Sequence, residues 1–171
     1  KPADRCQTAI VFKGNQGSGK NIIIDGVIGR LLGVHYTLAT KASLVTGRFN
    51  SLIANSILVF MNEALWSGDK SVSGVVKSQT TDDEIVIERK GIEAEVMRNY
   101  ARYIYASNNE WVTGAEFGDR RFFYPTVSNH RVGDRQYFGE LMAVIENGGR
   151  ESFLDFMLRH VNLDGFNTAD M

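Results

Sequence analysis

Thr8-Ala9-Ile10-Val11-Phe12-Lys13-Gly14-Asn15-Gln16-Gly17-Ser18-Gly19-Lys20-Asn21 is the stretch on which the fold turns. An apolar run, Thr8 to Phe12, leads into a glycine-rich loop, Gly14 to Asn21. A segment of helical spacing follows: Ile23, Ile24, Val27, Ile28, Leu31 and Leu32 recur at intervals of three and four, and Gly33 is placed to cap the end. Strand, glycine loop and helix with Lys20 at its start form the context of a phosphate-binding P-loop. Glycines without a Cβ let backbone N–H groups turn toward phosphate oxygens. The helix N-terminus adds unpaired N–H groups and a favourable dipole. Lys20 is expected to reach the β- and γ-phosphates as a point charge. The predicted nucleotide-binding set is Gly14, Asn15, Gln16, Gly17, Ser18, Gly19, Lys20 and Asn21. One position departs from the pattern: Asn21 stands where Ser or Thr usually presents a hydroxyl to Mg²⁺. An amide oxygen is also a hard ligand for that ion. The competing reading is an ordinary glycine-rich surface turn.

The chain has 171 residues, is 43% hydrophobic and carries a formal charge of −1. That suffices for one well-buried domain over residues 1–171, with 134–171 as a C-terminal helical part. Mixed charged and apolar residues argue against disorder, and no apolar run is long enough to span a bilayer. The single Cys6 excludes an internal disulfide framework and fits a reducing, cytoplasmic compartment. No charged-then-apolar leader opens the chain. The first residue is not Met, so a fragment or processed chain is expected. Near-neutral charge argues against a broadly basic nucleic-acid surface. His35, His130 and His160 lack ligand spacing, so no zinc site is expected. No Gly-x-Ser-x-Gly elbow or Cys/His pairing points to covalent catalysis.

Val34 to Leu38 reads as a strand. Lys41 to Ala54 reads as one or two short helices, with Leu44, Val45, Phe49, Leu52 and Ile53 on one face. Ser56 to Met61 is a continuous apolar run, as in a buried parallel strand. It ends in Asn62-Glu63-Ala64. In open α/β sheets ligands sit at the carboxyl ends of the strands, where Glu63 could orient or deprotonate an attacking water. Asn62 stands where an Asp commonly holds Mg²⁺. The bland alternative makes Glu63 a cap for the next helix.

Residues 68–79 read as a surface helix, followed by a turn or cap at Thr80 to Asp83. Glu84 to Glu88 and Ile92 to Met97 alternate around Lys90-Gly91, as in a hairpin with a basic tip, although the second run could also begin a helix. Arg89 and Lys90 at that tip could grip a phosphate backbone or simply be solvated. Arg102 to Ser107 reads as another strand, with Tyr103 and Tyr105 in the core, and ends in Asn108-Asn109. Asp119-Arg120-Arg121 precedes a short strand, Phe122 to Pro125. Residues 134–147 and 150–160 read as helices separated by Asn147-Gly148-Gly149; Phe153, Leu154, Phe156, Met157 and Val161 form the apolar face of the second.

Taken in order, GNQGSGKN, ILVFMNEA, the Lys-Gly turn, YIYASNN and GDRRFF resemble a superfamily 3 helicase of the branch attached to primases and primase-polymerases of phages, plasmids and large DNA viruses. The resemblance covers about residues 8–160. It implies an α/β P-loop NTPase of AAA+ type, with a central, mostly parallel sheet flanked by helices. It further implies ATP and Mg²⁺ as cofactors, single-stranded DNA as partner, a ring that is usually a hexamer, and a primase or polymerase module on the same longer chain. A phage protein would work in the host cytoplasm. Carried onto this sequence, Gly14 to Asn21 is Walker A and Glu63 the Walker B acid. Asn108 is the sensor amide, with Asn109 a substitute. Arg121, with Arg120, resembles the finger given to the adjacent subunit, and Lys90, with Arg89, corresponds to the DNA-moving hairpin. Asn21, Asn62 and Glu63 surround the expected metal position. The leading expectation is an ATP-driven DNA helicase motor. Its rivals are a nucleotide-binding assembly module with little hydrolysis, which Asn62 favours, and a small-molecule kinase, for which no arginine-rich lid is visible.

Overall fold

A computed structural model describes residues 6–41, 43–62, 70–107 and 119–166. Its centre is a five-stranded sheet of β1 (Ala9–Lys13), β2 (Tyr36–Ala39), β3 (Leu58–Asn62), β6 (Arg102–Ser107) and β7 (Phe122–Phe123), in the order β2-β3-β6-β1-β7. Every pairing is parallel. The remaining strands, β4 (Glu84–Ile87) and β5 (Glu95–Arg98), form a separate antiparallel hairpin.

The apolar runs are continuous because both faces of the sheet are covered. Alternate residues serve opposite layers. Val11, Val59, Met61, Tyr103 and Tyr105 join one core with Val76 of α3 (Lys70–Thr81) and Ile87 of the hairpin. Phe60, Ile104 and Ala106 join the other, closed by Ile24 of the first helix. Phe60 is wholly buried, and burying such a side chain contributes about 1.5–3 kcal/mol. Tyr103 and Tyr105 stack with centroids 6.3 Å apart, which bears out their place in the core.

Helix α1 opens in π form over Ile22–Gly29, finishes in α form over Arg30–Leu32 and ends at Gly33, with φ 55°. The spacing rule finds the helix but not its wider π turns, which shift the apolar stripe and leave Ile23 exposed. The segment after β2 holds the expected short helices, α2 (Ser43–Thr46) and a single 3-10 turn, Ser51–Ile53, but corrects their expected common face. Val45 and Ile53 are buried, whereas Phe49 and Leu52 are about half exposed, so the five apolar residues do not share one face.

The hairpin is observed, but its second strand starts at Glu95, three residues later than the alternation suggests, and a loop spans 88–94. Two buried asparagines attach it. Asn50 donates to the Val86 carbonyl at 2.8 Å and accepts from the Glu88 N–H at 2.9 Å, so its amide substitutes for a neighbouring strand on β4. Asn99 donates to the Gln79 carbonyl at 2.9 Å and accepts from the Ala101 N–H at 3.1 Å.

Helices α4 (Arg135–Val144) and α5 (Arg150–His160) are joined by Ile145–Gly149, where Asn147 and Gly148 leave helical geometry. The apolar face foreseen on α5 exists, but Leu154, Phe156 and Met157 remain exposed. Among the described residues no helix is long and apolar enough to cross a membrane.

Candidate functional site

β1 delivers the glycine loop to the carboxyl edge of the sheet. Gly17 and Gly19 adopt φ of 79° and 89°, which L side chains rarely enter. Gly14 is needed for a different reason: a Cβ there would lie 3.1 Å from both the Cβ and the carbonyl oxygen of Val127. The segment after β7 braces the loop. The Val127 N–H donates to the Lys13 carbonyl, and Asn129 Oδ1 accepts from the Asn15 N–H at 3.1 Å. Nothing in the one-dimensional pattern marks Val127 or Asn129, because their partners lie more than a hundred residues away.

Helical geometry begins at Lys20. Its side chain is buried, and the ammonium donates to the carbonyl oxygens of Gly14 (2.6 Å) and Asn15 (2.8 Å) and lies 3.4 Å from the Ser18 hydroxyl. The lysine foreseen as reaching outward to phosphate is therefore turned back, filling the concavity of its own loop. An anionic ligand would compete for it, since a full negative charge attracts the ammonium more strongly than a carbonyl dipole does.

A cleft of about 330 Å³ adjoins the loop. Gln16, Gly17, Ser18, Gly19, Lys20 and Asn21 line one side; Ile22, Asn62, Ala106 and Phe138 complete it. Strand register explains the gathering. Asn62 pairs with Ala106, and Lys13 pairs with Ser107, so β3, β6 and β1 end side by side. Glu63, Asn108 and Asn109 follow these ends in sequence and lie outside the described residues. Asn21 and Asn62, whose amides carry hard oxygen donors, line the cleft, and no group of three His, Cys, Asp or Glu that could hold a metal is found among the described residues. That donor set suits Mg²⁺ only as an ion that keeps several waters and leans on phosphates.

Arg121 lies at the opposite edge of the sheet. It immediately precedes Phe122, which pairs with Ala9, the first residue of β1. The five residues of β1 separate it from the loop by about 16 Å at ~3.3 Å per residue. Asp119 fixes its side chain: Oδ1 accepts from the Arg121 N–H at 3.2 Å and from its Nε at 2.9 Å. Lys77 of α3 lies 3.4 Å from the other oxygen. Burial would raise the Asp119 pKa, but these contacts with Arg121, then the charge of Lys77, hold it below the usual carboxylate range. Arg120 is exposed, and its carbonyl accepts from the Thr8 hydroxyl. Sequence reading singled out the arginines and missed the acid that orients one of them.

At the hairpin tip, Arg89 is engaged by Glu95 at 2.9 Å, whereas Lys90 is exposed beside Gly91, whose φ is 77°. The two basic residues assigned together therefore differ: Arg89 supports the hairpin and Lys90 projects.

The comparisons agree with this architecture. Residues 12–121 match the sequence profile of a family described as a family of unknown function, DUF5906. The chain is 28% identical over 122 residues to the DNA primase-polymerase of Nitratiruptor phage NrS-1, an alignment covering 70% of this chain and 17% of that protein. Two apo structures of the NrS-1 C-terminal region are similar, with TM-scores of 0.72 and 0.74 at 26% and 25% identity. They cover 86% of this chain and only 35% and 36% of the solved chains. The expected kinship with a phage primase-polymerase and the expected parallel α/β sheet are both met. With the profile matched over more than half its length, the chain belongs to DUF5906, a family of unknown function.

Proposed function

We propose that this chain is the ATP-hydrolysing DNA helicase motor of a phage or viral replication protein, working from sites shared between subunits of a ring. One observation carries the reading: the glycine loop with Lys20 and the Arg121 guanidinium stand at opposite edges of one sheet. Arg121 cannot serve its own loop across that distance, which supports its acting, as a finger, on the site of a neighbouring copy.

The loop N–H groups and Lys20 bind the β- and γ-phosphates. Asn21 and Asn62, with phosphate oxygens and water, would hold Mg²⁺, which would supply charge neutralisation at the phosphates. Glu63 orients the attacking water and takes its proton as the oxygen–phosphorus bond forms and the β–γ bridge breaks to release ADP. Asn108 positions that water. Arg121 of one copy compensates charge on the neighbour's γ-phosphate, an effect worth ~10³–10⁵ in rate. Arg120 lies beside it in sequence, and Lys90 contacts single-stranded DNA from the hairpin tip, which the Arg89–Glu95 pair supports.

Steady-state ATPase titration tests this. Turnover per subunit should rise steeply with protein concentration and again with single-stranded DNA. A rate independent of both contradicts shared sites. A second reading, a nucleotide-binding assembly module with little hydrolysis, is favoured by the amide at Asn62 in place of an acid. Tight ATP binding without turnover in the assembled protein would select it.

A further inference from the structure

We propose that Phe138 of α4 is the shelf on which the base of a bound nucleoside triphosphate stacks. The inference rests on the nucleotide reading of the glycine loop and adds a subsite for the opposite end of the ligand. Phe138 lines the same cleft as that loop. Its ring presses on Gly19 so closely that a Cβ there would lie 2.9 Å from Cε1. The loop supplies N–H groups and an ammonium, which suit phosphate. The ring, with Ile22 and Ala106, supplies an apolar wall, which phosphate cannot use.

The ring is held in place from its own helix. Asp134 caps α4 by accepting from the Tyr137 N–H at 3.0 Å, and the Phe138 N–H donates to the Asp134 carbonyl at 3.1 Å. Tyr137 meets the ring edge-on, with centroids 5.2 Å apart. A fixed, half-buried aromatic beside a phosphate cradle gains most from a flat partner, and every base has a π-face. Stacking reads area rather than hydrogen bonds, so purines should bind tighter than pyrimidines, with little choice between adenine and guanine.

The test measures dissociation constants by calorimetry on the full chain, for ATP, GTP, CTP, UTP and inorganic tripolyphosphate. Wild type should bind ATP and GTP several-fold tighter than CTP and UTP, and all four tighter than tripolyphosphate. Phe138→Ala should weaken ATP by about ten- to hundredfold and change tripolyphosphate by less than about twofold. Phe138→Trp should retain ATP. Phe138→Leu keeps apolar bulk against Gly19 without a π-face, and should lose ATP affinity while sparing tripolyphosphate. Equal losses of both ligands in Phe138→Ala and Phe138→Leu would make the ring a buttress of the loop and overturn the proposal. Wild-type binding of tripolyphosphate as tight as ATP would also overturn it, leaving the phosphate site standing. No binding of either would remove the nucleotide reading and the shelf together.

Discussion

The two edges of the parallel sheet use the same strands to opposite ends. At the carboxyl edge, a buried lysine curls inward over glycines, beside an open cleft. At the amino edge, Arg121 is partly exposed and pinned by the nearly buried carboxylate of Asp119, which Lys77 also approaches. The lysine is held by neutral carbonyls of its own loop, those of Gly14 and Asn15. The arginine is tied to an anion, which sets its pose. In the proposed motor, the first edge receives a charged ligand and the second presents a charge.

The sharpest way to break this comparison is Arg121→Ala. Turnover should fall ~10³–10⁵-fold while ATP affinity stays near wild type. Mixing this variant with Lys20→Met should recover part of the rate, because some interfaces then carry one intact half from each copy. A mixture no better than its components would show that the edges do not cooperate.

Next in size, Lys20→Met alone should weaken ATP by about ten- to hundredfold, the worth of hydrogen bonds to a charged group. Calorimetry reads this, and an unchanged constant would remove the lysine from the site.

Smaller effects separate glycines that serve the loop from one that does not. Gly19→Ala adds a Cβ at φ 89° against Phe138 and should destabilise by about 1–3 kcal/mol. Gly26 lies within α1 with open space around its Cβ position, so Gly26→Ala should stabilise by about 0.5–1 kcal/mol. Thermal melts of the pair should move in opposite directions.

The smallest effect is acid sensitivity at the amino edge. The Asp119 carboxyl has its pKa lowered on folding, despite burial, by Arg121 and then Lys77. Its contribution is therefore present above the unfolded carboxylate pKa, near 4, and is lost as pH falls through the lower folded value. Asp119→Asn should flatten that part of the melting-temperature profile. An unaltered slope would detach the carboxylate from the ion pair.

Much of this was written in local pattern. Gly14 to Lys20 announced a glycine loop between strand and helix because positive φ and a following helix leave a compositional mark. The runs at 56–61 and 102–107 announced buried strands because both faces of a parallel sheet are apolar. The basic turn at Lys90-Gly91 announced a hairpin. Periodicity failed where packing decides exposure. Phe49 and Leu52 have the spacing of a buried face and lie outside, and the apolar stripe of α5 faces solvent. The wide turns of α1 were also invisible, since residue spacing does not reveal which carbonyl an N–H selects.

By itself, then, the sequence determined the elements that depend on neighbours a few residues apart: the glycine loop, the lysine that starts its helix, and the core strands. Only the tertiary structure decided what depends on contacts across the chain. Asn129 braces Asn15 across 114 residues, and Phe138 reaches Gly19 from a distant helix. The parallel register sets Asn62 beside Ala106 and leaves Arg121 at the far edge from Lys20. Local propensity fixes dihedral angles, whereas the meeting of distant side chains depends on how sheet and helices bury their shared surface.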